Sequence, residues 1–198
     1  MPGDVTTAIE SVENAQQASA AAPKARTAPR GLWLLPSFTD LAMLLPVFVV
    51  LVRMNGLSGL LTDADTAWHI ATGRWILAHG RVPTQELFSF TMGGRPFCAW
   101  EWLWEVIAAW LYGLGGLSMV VVASIAVISA TFGLLYRLVR RTCGNMLIAM
   151  GTTALAMIVS TIHWAARPHL FTILFTVLFL WILERAREGG LRGLLSLP

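Results

Sequence analysis

The stretch Thr62-Asp63-Ala64-Asp65-Thr66-Ala67-Trp68-His69 brings two carboxylates and an imidazole close together in the chain. Asp65 and His69 are four positions apart, so a helix opening here puts them on one face, with Asp63 just ahead of the first turn. A carboxylate so placed can take a proton from a hydroxyl nucleophile. Asp63 and Asp65 together can instead hold a divalent metal against a phosphate. A purely structural reading fits the same residues: Thr62-x-x-Asp65 has capping-box spacing, and Asp63 is itself a good N-cap.

Other candidates follow. Arg81 and Arg95 flank a segment whose Gly93-Gly94 pair, set between alternating apolar residues, predicts a small hairpin. Both can grip a phosphate or simply be solvated. Arg167, between His163 and His169, suits an anionic lipid headgroup or a loop end. Glu101 and Glu105 share one side of an apolar helix and either join a site or point at water. Glu86 reads as an exposed loop acid. No His-x-x-x-His or Cys-x-x-Cys spacing suggests a metal cage.

These groups sit in a chain of 198 residues that is 56% hydrophobic and 13% charged, with nine Trp. A soluble domain carries about 25% charged residues. The composition therefore points to a membrane and excludes a disordered chain, a coiled coil or a simple nucleic-acid binder, for which a net charge of +3 is also too small. Apolar runs predict transmembrane helices at about 38–57, 117–136, 146–162 and 168–183. Ser37 and Asp40 predict a capping box for the first, and Pro46 a kink. Gly113-Leu114-Gly115-Gly116 breaks the uncharged run that follows Glu105, separating a Trp-rich interfacial helix at about 99–112 from the second span. Another interfacial helix ends at His79 and Gly80, with Trp68, Ala71 or Thr72, Trp75 and His79 toward the membrane.

The expected fold class is thus an all-α integral membrane protein. It has about four transmembrane helices, two interfacial helices in an outer loop at about 58–116, a polytopic domain over 31–198 and a disordered cytoplasmic tail over 1–30. The positive-inside rule supports this count. Lys24/Arg26/Arg30, Arg137/Arg140/Arg141 and Arg185/Arg187/Arg192 fall on the cytoplasmic side, and Arg53, Arg74, Arg81, Arg95 and Arg167 on the other. Cys98 is then outside and Cys143 inside. Scarce Lys beside abundant Arg and Ala suggests a GC-rich bacterial genome, hence a bacterial cytoplasmic membrane. The closing 193–198 reads like the approach to another span, so the chain is expected to be an N-terminal part of a longer protein.

Taken in order, Asp63-Ala64-Asp65-Thr66-Ala67-Trp68-His69-Ile70-Ala71-Thr72-Gly73, Gly80-Arg81-Val82-Pro83, Phe88-Ser89-Phe90-Thr91, Glu101-Trp102-Leu103 and Arg167-Pro168-His169 resemble GT-C-type membrane glycosyltransferases. The likeness is to bacterial relatives of the dolichyl-phosphate-mannose–protein mannosyltransferases, over about 32–183. It implies a many-span enzyme passing a sugar from a polyprenyl-phosphate donor to a lipid, glycan or protein on the outer face. It implies Asp63 or Asp65 as base or acceptor-positioning acid, with His69 beside them and sometimes a divalent metal. The chain departs from that pattern at Gln85-Glu86-Leu87 and at Trp100, and has fewer spans. The residues also allow a non-catalytic polytopic protein that binds or carries polyprenyl lipid through Arg81, Arg95 or Arg167.

Overall fold

Ser37 and Asp40 form the expected capping box: the Ser37 Oγ accepts the Asp40 N–H at 3.2 Å and the Asp40 carboxylate accepts the Ser37 N–H at 2.7 Å. They open α1, Phe38–Arg53, in a computed structural model that describes residues 37–54 and 56–189, without the side chains of Arg53 and Leu57. The expected tail over 1–30, with Lys24, Arg26 and Arg30, lies outside the described residues, as do Arg192 and the approach at 193–198. A 3₁₀ turn, Leu57–Leu61, leads to α2, Asp65–His79. After a loop come α3, Trp102–Cys143, α4, Met146–Ser160, a 3₁₀ turn at Thr161–His163, and α5, His169–Gly189. The described residues contain no strand. The expected hairpin is reduced to a single antiparallel bridge, Gln85 to Pro96.

Three segments are long and apolar enough to cross a membrane: Trp102–Cys143, Met146–His163 and His169–Glu188. With 16 residues, α1 rises about 24 Å, less than a hydrocarbon core of about 30 Å. Apolar side chains cover the outside of the bundle as well as its inside. Leu44, Phe48, Leu155, Val159, Phe175 and Phe179 are exposed, which suits a lipid surround.

The break in the uncharged run falls within the expected glycines. In α3, Gly115 (φ −163°, ψ 27°) and Gly116 (φ 64°, ψ −157°) leave helical geometry. The positive φ at 116 is one that a side chain disfavours. Several boundaries differ from expectation: α1 stops at Arg53 and not at 57, where a 3₁₀ turn begins. The helix before the kink starts at Trp102, and the one after it runs to Cys143, because Arg137, Arg140 and Arg141 continue it until Gly144. Similarly, α5 reaches Gly189, its last turns supported by an Arg187–Glu184 ion pair.

Val121, Ile128 and Phe132 of α3 pack with Val50, Leu60, Met157, Trp164 and Leu170. The Phe132 and Trp164 ring centroids are 5.6 Å apart. The Ala166 N–H donates to the Leu60 carbonyl at 2.9 Å. That bond joins the chain ahead of α2 to the chain ahead of α5, and the site forms where they meet.

Candidate functional site

Residues before α2 hold Asp63 in place. Its Oδ1 accepts the Asp65 N–H at 3.1 Å, satisfying one of the free donors of the first turn. The capping box expected from Thr62-x-x-Asp65 does not form: the Thr62 hydroxyl donates backward to the Gly59 carbonyl at 3.0 Å, and position 64 opens the helix without a side-chain cap. The 3₁₀ turn before α2 takes Thr62 away from the helix end, so Asp63 inherits the capping role.

Arg167 comes from the opposite side, in the turn between α4 and α5. Trp164 is buried there, its indole N–H on the Ser160 hydroxyl at 3.2 Å, and the Ala166–Leu60 bond fixes the backbone next door. From this fixed turn the guanidinium reaches both aspartates. Its Nε pairs with Asp63 and its Nη2 with Asp65, each through a carboxylate Oδ2. The Asp63 carboxyl is held below the ordinary carboxylate range, first by the Asp65 N–H and then by Arg167, against an upward push from partial burial.

One turn further along α2, His69 is buried against the start of α3. Its Nε2 lies 3.4 Å from Glu101 and its Nδ1 3.6 Å from Glu105, so the imidazole stands between two carboxylates. Glu105 is 1% exposed, and neither of its oxygens has a hydrogen-bond partner among the described residues. Gly73 permits this approach: a Cβ there would fall 1.8 Å from the Glu105 carbonyl oxygen.

Asp65, Trp68, His69, Glu101 and Arg167 line a cavity of about 410 Å³. A second recess of about 200 Å³ shares Trp68 and Glu101 and adds Phe97, Trp100 and Glu105. The structure thus gathers Asp63, Asp65, His69, Glu101, Glu105 and Arg167. Arg81 and Arg95 line neither space; the Arg81 guanidinium sits 5.7 Å from the Trp75 ring, and Arg95 takes part through its backbone in the Gln85–Pro96 turn. Glu86 accepts the N–H groups of Phe88 and Ser89, each at 3.0 Å, and shapes that loop.

The face of α2 that packs inward is Thr66, His69, Ile70, Thr72, Gly73 and Ile76, so Thr72 does not belong to the membrane-facing stripe. Trp68 and Trp75 are half-buried beside it, Trp68 edge-on to Phe97 at 5.6 Å and Trp75 stacked on His79 at 4.2 Å. The expected stripe of Trp68, Ala71 or Thr72, Trp75 and His79 toward the membrane does not identify this inward face. The inward face is half polar, so hydrophobic periodicity does not mark it. The burial of Glu105 and the pairing of Arg167 were also missed. An acid four positions from another in an apolar helix was the available signal for the first, and no local signal exists for the second.

The residues do not fit the divalent metal that the resemblance implies. Arg167 already occupies both aspartates, and no three His, Cys, Asp or Glu side chains converge around a common point among the described residues. Chemically, the site offers a partly exposed carboxylate beside a cavity, a guanidinium that can exchange one anion for another, and a buried His–carboxylate group. Comparison of the chain with protein-family models, with curated proteins and with solved structures finds no match.

Proposed function

We propose that this chain is a GT-C-type membrane glycosyltransferase, or the N-terminal part of one. It would move a sugar from a polyprenyl-phosphate donor to an acceptor hydroxyl on the extracytoplasmic face of a bacterial cytoplasmic membrane, with α1 as a fourth span. One observation carries the reading: Arg167 bridges Asp63 and Asp65 at the edge of a cavity beside the apolar bundle. In the reaction, Arg167 moves from Asp65 to the donor phosphate while Asp63 retains hold of it. Asp65 is then free to take the acceptor's proton. The acceptor oxygen forms its bond to the anomeric carbon, the bond from that carbon to the phosphate oxygen breaks, and polyprenyl phosphate leaves with the electron pair. A phosphate needs no proton to depart, so a single base suffices.

A second reading, a non-catalytic binder or carrier of polyprenyl lipid, draws on the same triad: with Arg167 on both aspartates, neither acid is a free base. Single-turnover transfer by the full chain in proteoliposomes, with polyprenyl-phosphate-linked hexoses and pentoses, separates the two. Asp65→Asn should lower transfer about 10²–10⁴-fold while donor binding persists. A wild-type chain that binds donor without transferring any sugar supports the carrier; transfer unchanged in Asp65→Asn removes that residue as the base.

A further inference from the structure

We propose that the recess walled by Trp68, Phe97 and Trp100 and floored by Glu101 and Glu105 binds an organic ammonium group. The first argument is charge. Three carboxylates (Asp65, Glu101 and Glu105) border the two adjacent cavities, against one guanidinium and one imidazole. Arg167 is committed to the two aspartates. Glu101 and Glu105 share His69, which carries at most one positive charge, so the pair retains negative charge in every state in which both are ionised.

The second argument is the state of Glu105. A carboxylate buried to 1% exposure with no hydrogen-bond donor on either oxygen is costly. His69 is at ion-pair distance, 3.6 Å, beyond a good hydrogen bond. Glu105 lines the recess with both oxygens closed over, so a donor cation that parts this wall would meet acceptors that the protein leaves unused.

The third argument is the wall. Trp68 and Phe97 meet edge to face at 5.6 Å, and Trp100 stands 87% exposed beside the recess. Aromatic faces attract organic cations and supply no ligand to a metal ion. Carboxylates and aromatic rings lining one recess therefore select a cation that has both N–H donors and carbon surface. At about 200 Å³ the recess admits a small alkylammonium or an amino-substituted ring. This inference does not rest on the transfer reaction: the binding it describes is measured without turnover, so either reading can fail alone.

The test is ligand-observed NMR titration of the full chain in nanodiscs at neutral pH. Ethanolamine is the probe, and ethylene glycol, glucose and magnesium chloride are the comparisons. Ethanolamine should bind saturably and about ten-fold or more tightly than ethylene glycol, and Glu105→Gln should abolish that preference. Trp100→Ala, at an exposed position that folding does not need, should weaken ethanolamine by about 2–30-fold, and it decides the matter if Glu105→Gln fails to fold. Equal binding of the amine and the diol overturns the proposal, as does a preference for glucose over ethanolamine. So does displacement by magnesium at lower concentration than ethanolamine requires, or the absence of saturable ethanolamine binding.

Discussion

Substituting Gly73 by Ala sets two effects of opposite sign against each other. In an open helix the change is favourable by about 1 kcal/mol, because Ala loses less backbone entropy and shields the helix better. Here the new Cβ would lie 1.8 Å from the Glu105 carbonyl oxygen, 2.4 Å from its carbon and 2.8 Å from the Ala109 Cβ. Non-bonded carbons need about 3.5 Å, so α2 and α3 must part by more than about 1 Å. Overpacking costs about 1–3 kcal/mol, and the upper end applies where the obstacle is backbone, which cannot rotate away. The net expectation is a loss of about 2 kcal/mol, roughly 30-fold in the folding equilibrium. Gly151 supplies the control: a Cβ there meets nothing within 4 Å, so Gly151→Ala should gain up to about 1 kcal/mol. The assay is reversible denaturation of the full chain in detergent micelles, followed by circular dichroism. If both variants shift alike toward higher stability, the close α2–α3 contact, and the burial of Glu105 that depends on it, is refuted.

Two further outcomes follow from the same geometry. Because folding holds Asp63 ionised below the value of an unfolded aspartate, its contribution is complete above about pH 4 and is lost as pH falls through the folded value; wild type should therefore lose stability in acid more steeply than Asp63→Asn, and parallel curves would contradict the Asp65 and Arg167 contacts. Cys98 and Cys143 are both free and exposed, and in the proposed orientation a membrane-impermeant thiol reagent added to intact cells should label Cys98 and spare Cys143, with the reverse pattern excluding an outward-facing site.

Much of the bundle was legible because its causes are local. Ser37 and Asp40 declare a helix start, Gly80 declares a stop, and the glycines before residue 117 declare a break. Each signal acts within a turn or two of the residue that carries it. Boundaries slipped where the charge at 137–141 and 184–187 was read as an end, whereas a helix continues through arginines that reach solvent or pair at i, i+3. For the site, the types of the acids, His69 and Arg167 were visible, but their relations were not. Arg167 and Asp65 are 102 positions apart, and their meeting depends on the Leu60–Ala166 bond and on Trp164 filling the core. The inward face of α2 was hidden for a related reason: His69 and Gly73 are buried for the partners they meet at the start of α3, which no periodicity of their own sequence records.

The kink explains why one continuous stretch can serve both purposes. Before Gly115 the helix is bound to α2 through Trp104, Ala108 and Ile70 and carries Glu105 into the site, with Glu101 at its N-cap. After Gly116 it packs Val121, Ile128 and Phe132 into the bundle and delivers Arg140 and Arg141 to the far end. A straight helix through these positions would carry the acids along the axis of the apolar spanning part, where a charged side chain is costly. By turning at Gly115 and Gly116 the chain can lay its acidic segment across the end of the bundle. The acids then gather at the end where Arg167 stands in the turn before α5, while Arg141 pairs with Glu188 at the other. That separation of charge gives the molecule two unlike ends and, by the preference of arginine clusters for the cytoplasm, supports an orientation in which the cavity opens on the side away from it.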